Sequence, residues 1–509
     1  MRKTMMQAVF VCVVLAVTRD VANAIFYITI PNNEVEVTDV ITQASYGWST
    51  TERLNVGSGN AFNGPGTWDG VLTVHSNGTV TVGTIFMING GPKTNGKIIV
   101  DGTNSTMTAN GILHLAMNSA PGIYRILFHS TFSLEEPCLI EITNGGKFFA
   151  NGGTEPAASG ANIGAEQGGG LGPSWGMVTV DGAGSEFTTT WGMRIGEGGA
   201  GHLTITNTGK VTTGICFIGH NDSAPTYETV GILNVDGAGS EFNSDQLNMG
   251  GAYSEGFANI TGGGKVTASL MEIARTGGLG TATTGDCEIL VTGAGSVLDV
   301  SQSGGDSMYI GGTATNGAQD SARVTLEEGG NIEAEGNVTV YDTATMVFGL
   351  GNGSSLHSDA QVSVRNNATF AITPDAGFAG ALGVPYDLIT ATVAVNADPN
   401  NLVLDLSALD GSSAAAGFLA LNGGGTALQL TLTSTGQGES GLTRVDNVNV
   451  TFFDFDSAPG FEYGLESSTN MADWVFTGLI VTGDGGTMSV FDPTGTDTNK
   501  SYRLSITGL

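Results

Sequence analysis

Four side chains in the first half of the sequence could take part in the cleavage of a carbohydrate. They are Glu166, Arg194, Glu197 and Asp222, and they lie close to the longer loops that the sequence predicts. Paired carboxylates can protonate a leaving group and activate a nucleophile, and a guanidinium can stabilise developing negative charge. These carboxylates do not stand out as a site, because 48 acidic residues against 17 Lys and Arg place carboxylates throughout the chain. No catalytic residue is therefore assigned.

Two tryptophans could provide a surface on which sugar rings stack. Trp175 and Trp191 lie on either side of one copy of a repeated phrase, and aromatic faces contribute large contact areas to such surfaces. Packing within loops is the simpler explanation for both side chains. A glycan-binding face is kept as a hypothesis beside it.

The sequence indicates no metal or cofactor site. Cys12 lies in the predicted leader, and Cys138, Cys216 and Cys287 are far apart without C-x-x-C spacing, which favours burial as small apolar residues. Neither Gly168–Gly170 nor the later Gly triplet is followed by the Lys-Ser/Thr of a phosphate loop. The six histidines show no metal-binding spacing, and surface or corner positions are predicted for all of them: His75, His114, His129, His202, His220 and His357.

A short phrase recurs along the chain and predicts a repeat protein. The heptapeptide D-G-A-G-S-E-F occupies residues 181–187 and again residues 236–242, and altered copies occupy 101–107 and 292–298. The Asp recurs, as a turn-forming residue would, whereas a catalytic Asp would be unique. Recurrence at a fixed period indicates a solenoid, in which each unit buries its apolar face against its neighbours.

A second phrase alternates with the first. It reads L-T-I-T-N-T-G-K-V at residues 203–211, and the marker residues Val180 and Ile205 of the two phrases are 25 positions apart. A third element, such as Met193-Arg-Ile-Gly, lies between the markers. Alternation predicts strands that bury Val178, Val180 and Ile205 and expose the Thr residues between them. One unit of about 25 residues therefore carries at least two short strands.

These features predict an all-β fold: a parallel β-helix, or β-solenoid, followed by a small β-sandwich-like C-terminal domain. The Asp-Gly, Asn-Gly and Gly-Gly pairs supply the positive-φ corners that separate the strands of each coil. Glycine, at 80 of 509 residues, is explained by these corners. A right-handed helix is expected, because parallel crossover connections are nearly always right-handed.

The N-terminus predicts export. Arg2 and Lys3 precede an apolar run, and Ala22-Asn-Ala24 has the form of a cleavage site, so residues 1–24 are interpreted as a signal peptide and the mature chain begins at Ile25. The run is too short to span a bilayer, so a secreted or cell-surface protein is expected rather than an integral membrane protein. The net charge of −31 argues against nucleic acid as a partner.

The chain divides into five predicted segments. Residues 25–71 are interpreted as an N-terminal cap region, because solenoids need an atypical end. Residues 72–370 carry the repeats, and residues 371–440 are terminal coils or a cap. Residues 441–509, with their own aromatics and turns, are interpreted as a small C-terminal β module.

The two alternating phrases resemble the repeat of autotransporter passenger domains and of PEP-CTERM-type exported proteins. The resemblance covers residues 72–340, and the end of the chain, from Leu465 to Leu504, resembles a C-terminal module of exported proteins in Verrucomicrobia-like bacteria. It implies an exported bacterial β-solenoid at the cell surface, and it implies no catalytic residues.

The leading functional interpretation is a non-catalytic structural or adhesive surface protein. An extended sheet face would bind extracellular polysaccharide or cell-surface components. The alternative is a carbohydrate-active β-helix enzyme, a polysaccharide lyase or hydrolase. Arg194 gathered with two or more carboxylates over one sheet would favour that alternative.

Overall fold

The computed structural model describes most of the chain between Tyr27 and Gly508. The described ranges are 27–30, 34–37, 40–41, 53–56, 70–75, 77–88, 96–117, 138–152, 160–164, 175–220, 229–250, 254–274, 286–302, 305–313, 317–318, 321–376, 378, 383–410, 415–434, 443–447, 450–459, 461–468, 474–483, 486–492 and 501–508.

The fold is a parallel β-helix, as predicted. Each coil contributes one strand to each of three stacks, and strands of successive coils pair in parallel within a stack. Stack I is a 13-stranded sheet, and stacks II and III, together with the two strands of a later hairpin, form one 24-stranded sheet. They join because β18, β20 and β22 run through both stacks without a break.

The strands of the three stacks have the following bounds. Stack I contains β2 (Glu34–Val37), β5 (Gly70–Val74), β8 (Gly96–Asp101), β11 (Cys138–Thr143), β14 (Trp175–Asp181), β17 (Ala200–Thr206), β19 (Thr229–Asp236), β21 (Ser254–Thr261), β23 (Cys287–Thr292), β28 (Ala322–Glu327), β31 (Ala344–Leu350), β34 (Thr369–Pro374) and β37 (Val403–Asp405). Stack II contains β3 (Val40–Ile41), β6 (Thr79–Val82), β9 (Thr106–Ala109), β12 (Lys147–Ala150), β15 (Glu186–Thr189), β24 (Val297–Val300), β29 (Asn331–Ala334), β32 (Ser355–Ser358) and β35 (Pro385–Ala391). Stack III contains β1 (Tyr27–Ile30), β4 (Arg53–Val56), β7 (Thr84–Ile88), β10 (Leu113–Met117), β13 (Ala161–Ile163), β16 (Gly192–Glu197), β25 (Asp306–Ile310), β30 (Asn337–Val340), β33 (Gln361–Val364) and β36 (Ala394–Asn396). The shared strands are β18 (Lys210–His220), β20 (Glu241–Met249) and β22 (Lys265–Ile273).

The core is the space that the three stacks enclose. Val178, Val180 and Ile205 are fully buried, and Thr179 and Thr204 between them face outwards, as alternation predicts. Phe148 and Phe187 of neighbouring stack II strands meet edge to face, with ring centroids 5.4 Å apart. The same apolar cluster continues into the last coils, where the rings of Phe348 and Phe370 stack.

The corner between stacks I and II explains why two phrases alternate. The Asp181 carboxylate accepts hydrogen bonds from the Thr206 hydroxyl and the Asn207 amide of the next coil, both at 2.6 Å. The serine of the same phrase, Ser185, lies over the preceding coil and accepts a 3.0 Å bond from the Gly145 N–H. Each D-G-A-G-S turn therefore binds the coils on both sides of it.

Other coils repeat these contacts. The Asp101 carboxylate accepts hydrogen bonds from Thr143 and Asn144, and the Asp236 carboxylate accepts one from Thr261. Ser296 accepts a hydrogen bond from the Gly263 N–H. The two phrases are thus complementary halves of one contact, made between successive coils.

Two glycines show what each phrase requires of its backbone. Gly182 has φ 93°, in the left-handed region that a side chain disfavours. Gly209, in the second phrase, has a different constraint: a Cβ there would collide with the carbonyl oxygen of Val180 in the coil below. The first glycine makes the bend, and the second allows the coils to approach closely.

Charges alternate along the outer face of stack II. Lys147, Glu186, Lys210, Glu241 and Lys265 occupy one register position in successive coils. The ammonium groups of Lys147 and Lys210 lie 2.9 Å from Glu186 and Glu241, respectively. This alternation opposes a slip of one coil, because such a slip would place like charges together.

Parallel pairing extends beyond both predicted limits of the repeat region. β2 pairs in parallel with β5 inside the predicted cap of residues 25–71, and β34 pairs with β37, which ends at Asp405, beyond residue 370. Strand pairing extends beyond the turn phrases, because it needs alternation and does not need the Asp and Asn corners. The handedness of the coils stays a prediction.

Antiparallel strands follow the last coils. β38 (Ala416–Leu421) and β39 (Ala427–Ser434) form a hairpin, and β39 pairs antiparallel with β35 at the end of stack II. A 3-10 turn (Pro399–Asn401) and helix α1 (Ser407–Asp410) precede this hairpin. An earlier antiparallel pair consists of β26 (Gly312–Thr313) and β27 (Gly317–Ala318).

The described strands after residue 441 pair antiparallel with one another. They form two three-stranded sheets, which consist of β40 (Thr443–Asn447), β41 (Val450–Asp456) and β44 (Thr487–Asp492), and of β42 (Phe461–Ser468), β43 (Val475–Thr482) and β45 (Ser501–Gly508). Phe455, Tyr463 and Leu465 form an apolar cluster separate from the main core. Among the described residues, no helix is both long enough and apolar enough to cross a bilayer.

Candidate ligand-binding face on stack III

The middle residues of the stack III strands form one continuous row on the outside of the solenoid. In β16, Met193 and Ile195 are buried in the core, so Arg194 between them points outwards. Successive coils place a residue in register with Arg194 on either side, and these residues are called the outer ladder. The name covers the row from β10 to β25, although the register continues into β30 at Thr339, and its members are His114, Asn162, Arg194, Phe217, Asn248, Glu272 and Tyr309.

Several members of the outer ladder are screened from solvent although they face away from the core. Asn162 is 6% exposed, and Asn248 is 1% exposed. Each asparagine lies between two larger members of the outer ladder: Asn162 between His114 and Arg194, and Asn248 between Phe217 and Glu272. The longer neighbours cover the two short amides, and these two covered positions are called the recesses.

Each of the two recesses contains a polar atom without a hydrogen-bond partner in the structure. At Asn162 this atom is the acceptor Oδ1, and at Asn248 it is the donor Nδ2. The other amide atom of Asn248, Oδ1, accepts a 3.0 Å hydrogen bond from Gln246 Nε2, which fixes the orientation of the amide. Buried polar groups are nearly always satisfied, so each of the two atoms is available for a hydrogen bond with a water molecule or with a ligand group.

Two of the four candidate catalytic residues lie together. The Arg194 guanidinium is hydrogen-bonded to the Glu197 carboxylate on the same strand, and it lies 5.8 Å from the ring centroid of Phe217 in the next coil. These contacts hold Arg194 against the face of the solenoid. Glu166 and Asp222 lie outside the described residues.

Tyr309, at the end of the outer ladder, is bound to an acid of its own strand. Its hydroxyl donates a 2.7 Å hydrogen bond to Asp306 Oδ2, and Asn337 donates to the other oxygen of that carboxylate. Burial, together with the hydrogen bond to Asp306, raises the pKa of the Tyr309 hydroxyl. Tyr309 is therefore a neutral hydrogen-bond donor near neutral pH.

The two tryptophans flank this face at neighbouring coils. Trp191 immediately precedes β16, whereas Trp175 begins β14, the stack I strand that follows the stack III strand β13. Both residues are partly exposed. They occupy opposite edges of stack III, and both lie between Asn162 and Arg194 along the chain.

His202 and His357 form hydrogen bonds within the solenoid. His202 accepts a 2.6 Å hydrogen bond from the Asn234 amide on stack I, and burial lowers the pKa of its imidazole, which keeps it neutral. His357 lies 2.8 Å from the Thr390 hydroxyl. Within the described ranges, no group of three His, Cys, Asp or Glu side chains could hold a metal ion. His129 lies outside these ranges.

The predicted burial of the three cysteines is confirmed. Cys138, Cys216 and Cys287 all lie in the core. Burial raises the pKa of the Cys138 thiol to about 11, so this thiol is not a nucleophile near neutral pH.

Sequence reasoning missed Asn162, Asn248 and Tyr309 as members of one site. The third element of each unit indicates these positions, because the residue between its two buried apolar residues points out of the solenoid. Variable inserts obscured it, since Asn162 and Arg194 are 32 positions apart and Arg194 and Phe217 only 23.

No protein-family profile, curated protein or solved structure matches this chain. The evidence for function therefore comes from the chain's own residues and their geometry.

Proposed function

We propose that this protein is an exported structural or adhesive β-solenoid that holds an extended glycan along stack III at the cell surface. The observation that carries the proposal is the outer ladder, an in-register row of amide, guanidinium, carboxylate and aromatic groups. Sugar-binding sites combine such planar polar groups with aromatic faces. The predicted signal peptide of residues 1–24 supports export.

The geometry of the face suits a polymer better than a small molecule. Strands of neighbouring coils are about 4.8 Å apart, which is close to the length of one sugar unit in an extended chain. A row with one recognition residue in each coil therefore matches a ligand with one repeating unit in each coil. Solenoids commonly bind extended ligands along such surfaces.

The test uses the mature chain from Ile25 to Leu509 against a panel of soluble polysaccharides. Binding is measured by affinity electrophoresis, and cleavage is measured as new reducing or unsaturated ends. We expect retardation by at least one neutral polysaccharide without new chain ends. Retardation by none would contradict the proposed function.

Cleavage of a polymer would instead establish the enzyme interpretation. In that case Arg194→Lys, which keeps the charge and loses the bidentate geometry, becomes the first variant to assay. If Arg194→Lys reduced cleavage while binding persisted, the guanidinium would have a role in the chemistry. The salt bridge between Arg194 and Glu197 leads us to expect no cleavage.

A further inference from the structure

We infer that Asn162 and Asn248 are two hydroxyl-binding subsites for one uncharged glycan chain that lies along stack III. This inference rests on the proposed function and names its ligand class. It starts from the two buried amide atoms without a hydrogen-bond partner, Oδ1 of Asn162 and Nδ2 of Asn248.

The two atoms need opposite partners. Asn162 Oδ1 needs a donor, whereas Asn248 Nδ2 needs an acceptor. An anionic group could satisfy only Asn248, and an ammonium group could satisfy only Asn162. A hydroxyl both donates and accepts, so a ligand with hydroxyls at regular intervals satisfies both positions.

The spacing of the two positions sets a minimum ligand length. Asn162 is in β13 and Asn248 is in β20, and the coils of β16 and β18 lie between them. Three coil steps correspond to about 14 Å. An extended glycan of four units or more reaches both amides, and a disaccharide reaches one.

The charges on this face exclude acidic glycans. Glu272 lies in register beside Asn248 and is largely buried, so a uronate at that position would meet a carboxylate. The positive member of the ladder next to Asn162, Arg194, is already bound to Glu197. The net charge of −31 adds a general repulsion of polyanions.

Phe217 provides an apolar surface between the two recesses. It is partly exposed and lies in register between Arg194 and Asn248. A sugar ring over this residue would place C–H groups on the aromatic face. The two amides would then hold the units on either side of that ring.

The test compares Asn162→Ala and Asn248→Ala with the wild-type protein. The probes are β-1,4-linked glucose and mannose oligomers of two to six units, with galacturonate oligomers of the same lengths as the charged comparison. Titration calorimetry gives the dissociation constants. Asn243→Ala is the matched control, because Asn243 lies on the same strand as Asn248 but on the stack II part of it.

We expect the six-unit neutral oligomer to bind the wild-type protein and to bind each recess variant at least about tenfold more weakly, since each variant loses about one hydrogen bond in a buried site. The control variant stays within about twofold. The loss should shrink for disaccharides, which cannot reach both amides. Circular dichroism melting curves that match the wild type show that the variants are folded.

Three results would overturn the inference. If neutral oligomers bind but the two recess variants behave like Asn243→Ala, the amides are satisfied by water and the proposed function survives elsewhere on the surface. If galacturonate oligomers bind and neutral ones do not, the ligand class is wrong. If neither the oligomers nor the wider polysaccharide panel binds, the proposed function itself fails.

Discussion

The corner between stacks I and II is built in two ways along the solenoid. From Asp101 to Gly264, an Asp in one coil accepts hydrogen bonds from Thr and Asn side chains in the next, and the phrases alternate. From Thr292 to Asp375, this alternation is lost. Thr292 replaces the Asp, and Glu327 and Glu328 replace the Thr-Asn pair.

One buried carboxylate organises the second corner. Asp375 is 5% exposed and accepts 2.9 Å hydrogen bonds from the N–H groups of Glu328 and Asn352 in two earlier coils. The space for it exists because residue 349 is glycine, and a Cβ there would collide with the Asp375 carboxylate. The hydroxyl of Thr373 reaches past Gly349 to Glu327.

The comparison shows that the two corners share a backbone conformation, although different residues adopt it. Both corners place backbone in the left-handed region, at Asn207 and Thr208 in one and at Glu328 and Gly329 in the other. Both supply a carboxylate that binds neighbouring coils. A phrase can therefore vanish from the sequence while the coil persists.

The largest expected loss of stability comes from a feature of both corners, a glycine that packs against the backbone of the preceding coil. Gly209→Ala and Gly330→Ala should each cost about 3 kcal/mol or more, because the new Cβ would collide with the carbonyl oxygen of Val180 or Val291 in the preceding coil. Urea unfolding followed by circular dichroism measures the loss. Gly353→Ala is the control: the space around it is open, so only its positive φ of 79° opposes the new Cβ, and roughly 1 kcal/mol is expected. Tolerance of either close-packed variant would show that the corners differ in this respect.

The next largest loss of stability differs between the two corners, because their carboxylates are buried to different degrees. Asp375→Ala should cost about 3 kcal/mol, because it leaves two screened N–H groups without their charged acceptor. Asp181→Ala should cost about 1 kcal/mol, since the hydroxyl and amide that it releases lie nearer to solvent. The same unfolding assay ranks them, and Asp375→Asn, which keeps one acceptor, should fall between. Equal losses would mean that the two corners are energetically alike.

The pH dependence of stability is a smaller effect, and we expect it to have opposite signs for a carboxyl group in the first region (Asp101) and one in the second (Glu333). Hydrogen bonds from Thr143 and then Asn144 lower the pKa of Asp101, so its contribution to stability is present above the ordinary carboxyl pKa and is lost as pH falls through the lowered value. Glu333 lies on the exposed outer face, where partial desolvation raises the pKa of its carboxyl, so the folded state gains a little stability as pH falls through the raised value towards the ordinary one.

Unfolding midpoints between about pH 3 and about pH 7 test these signs. Asp101→Asn should lower the midpoint at neutral pH, and Glu333→Gln should raise it. The Glu333 difference should fade at the acidic end, where that carboxyl is protonated, and the Asp101 difference should shrink only as the pH falls through the lowered pKa. Shifts of the same sign for the two variants at neutral pH would contradict the assignment.

The smallest effect comes from the alternating charges, which only the first region has. At the same register position the second region has Val297, Asn331 and Ser355. Lys210→Met should cost at most about 0.5 kcal/mol, because the pair with Glu241 is partly exposed, and the cost should disappear at about 1 M salt. Glu241→Gln should give the same loss, and the double variant should add nothing. Additive losses would show that the two charges act independently.

The sequence predicted the solenoid because local signals define it. Alternation placed Val180 and Ile205 inside, and the Asp-Gly and Asn-Gly pairs marked corners. The partnership between the phrases could not be predicted, since Asp181 and Thr206 are 25 positions apart and nothing local states that they touch. The outer ladder was missed for the same reason, because each coil contributes one residue to it at an irregular interval.

The alternation of Asp and Thr along one register position has a consequence for how this protein can change length. Asp101, Thr143, Asp181 and Thr206 follow one another in consecutive coils, as do Asp236 and Thr261 later in the row. Deletion of a single coil, such as β17 with β18, would stack Asp181 directly on Asp236. Deletion or duplication of two coils would preserve every donor–acceptor pair. Within this region, the solenoid can therefore change length without loss of these hydrogen bonds only in steps of two coils.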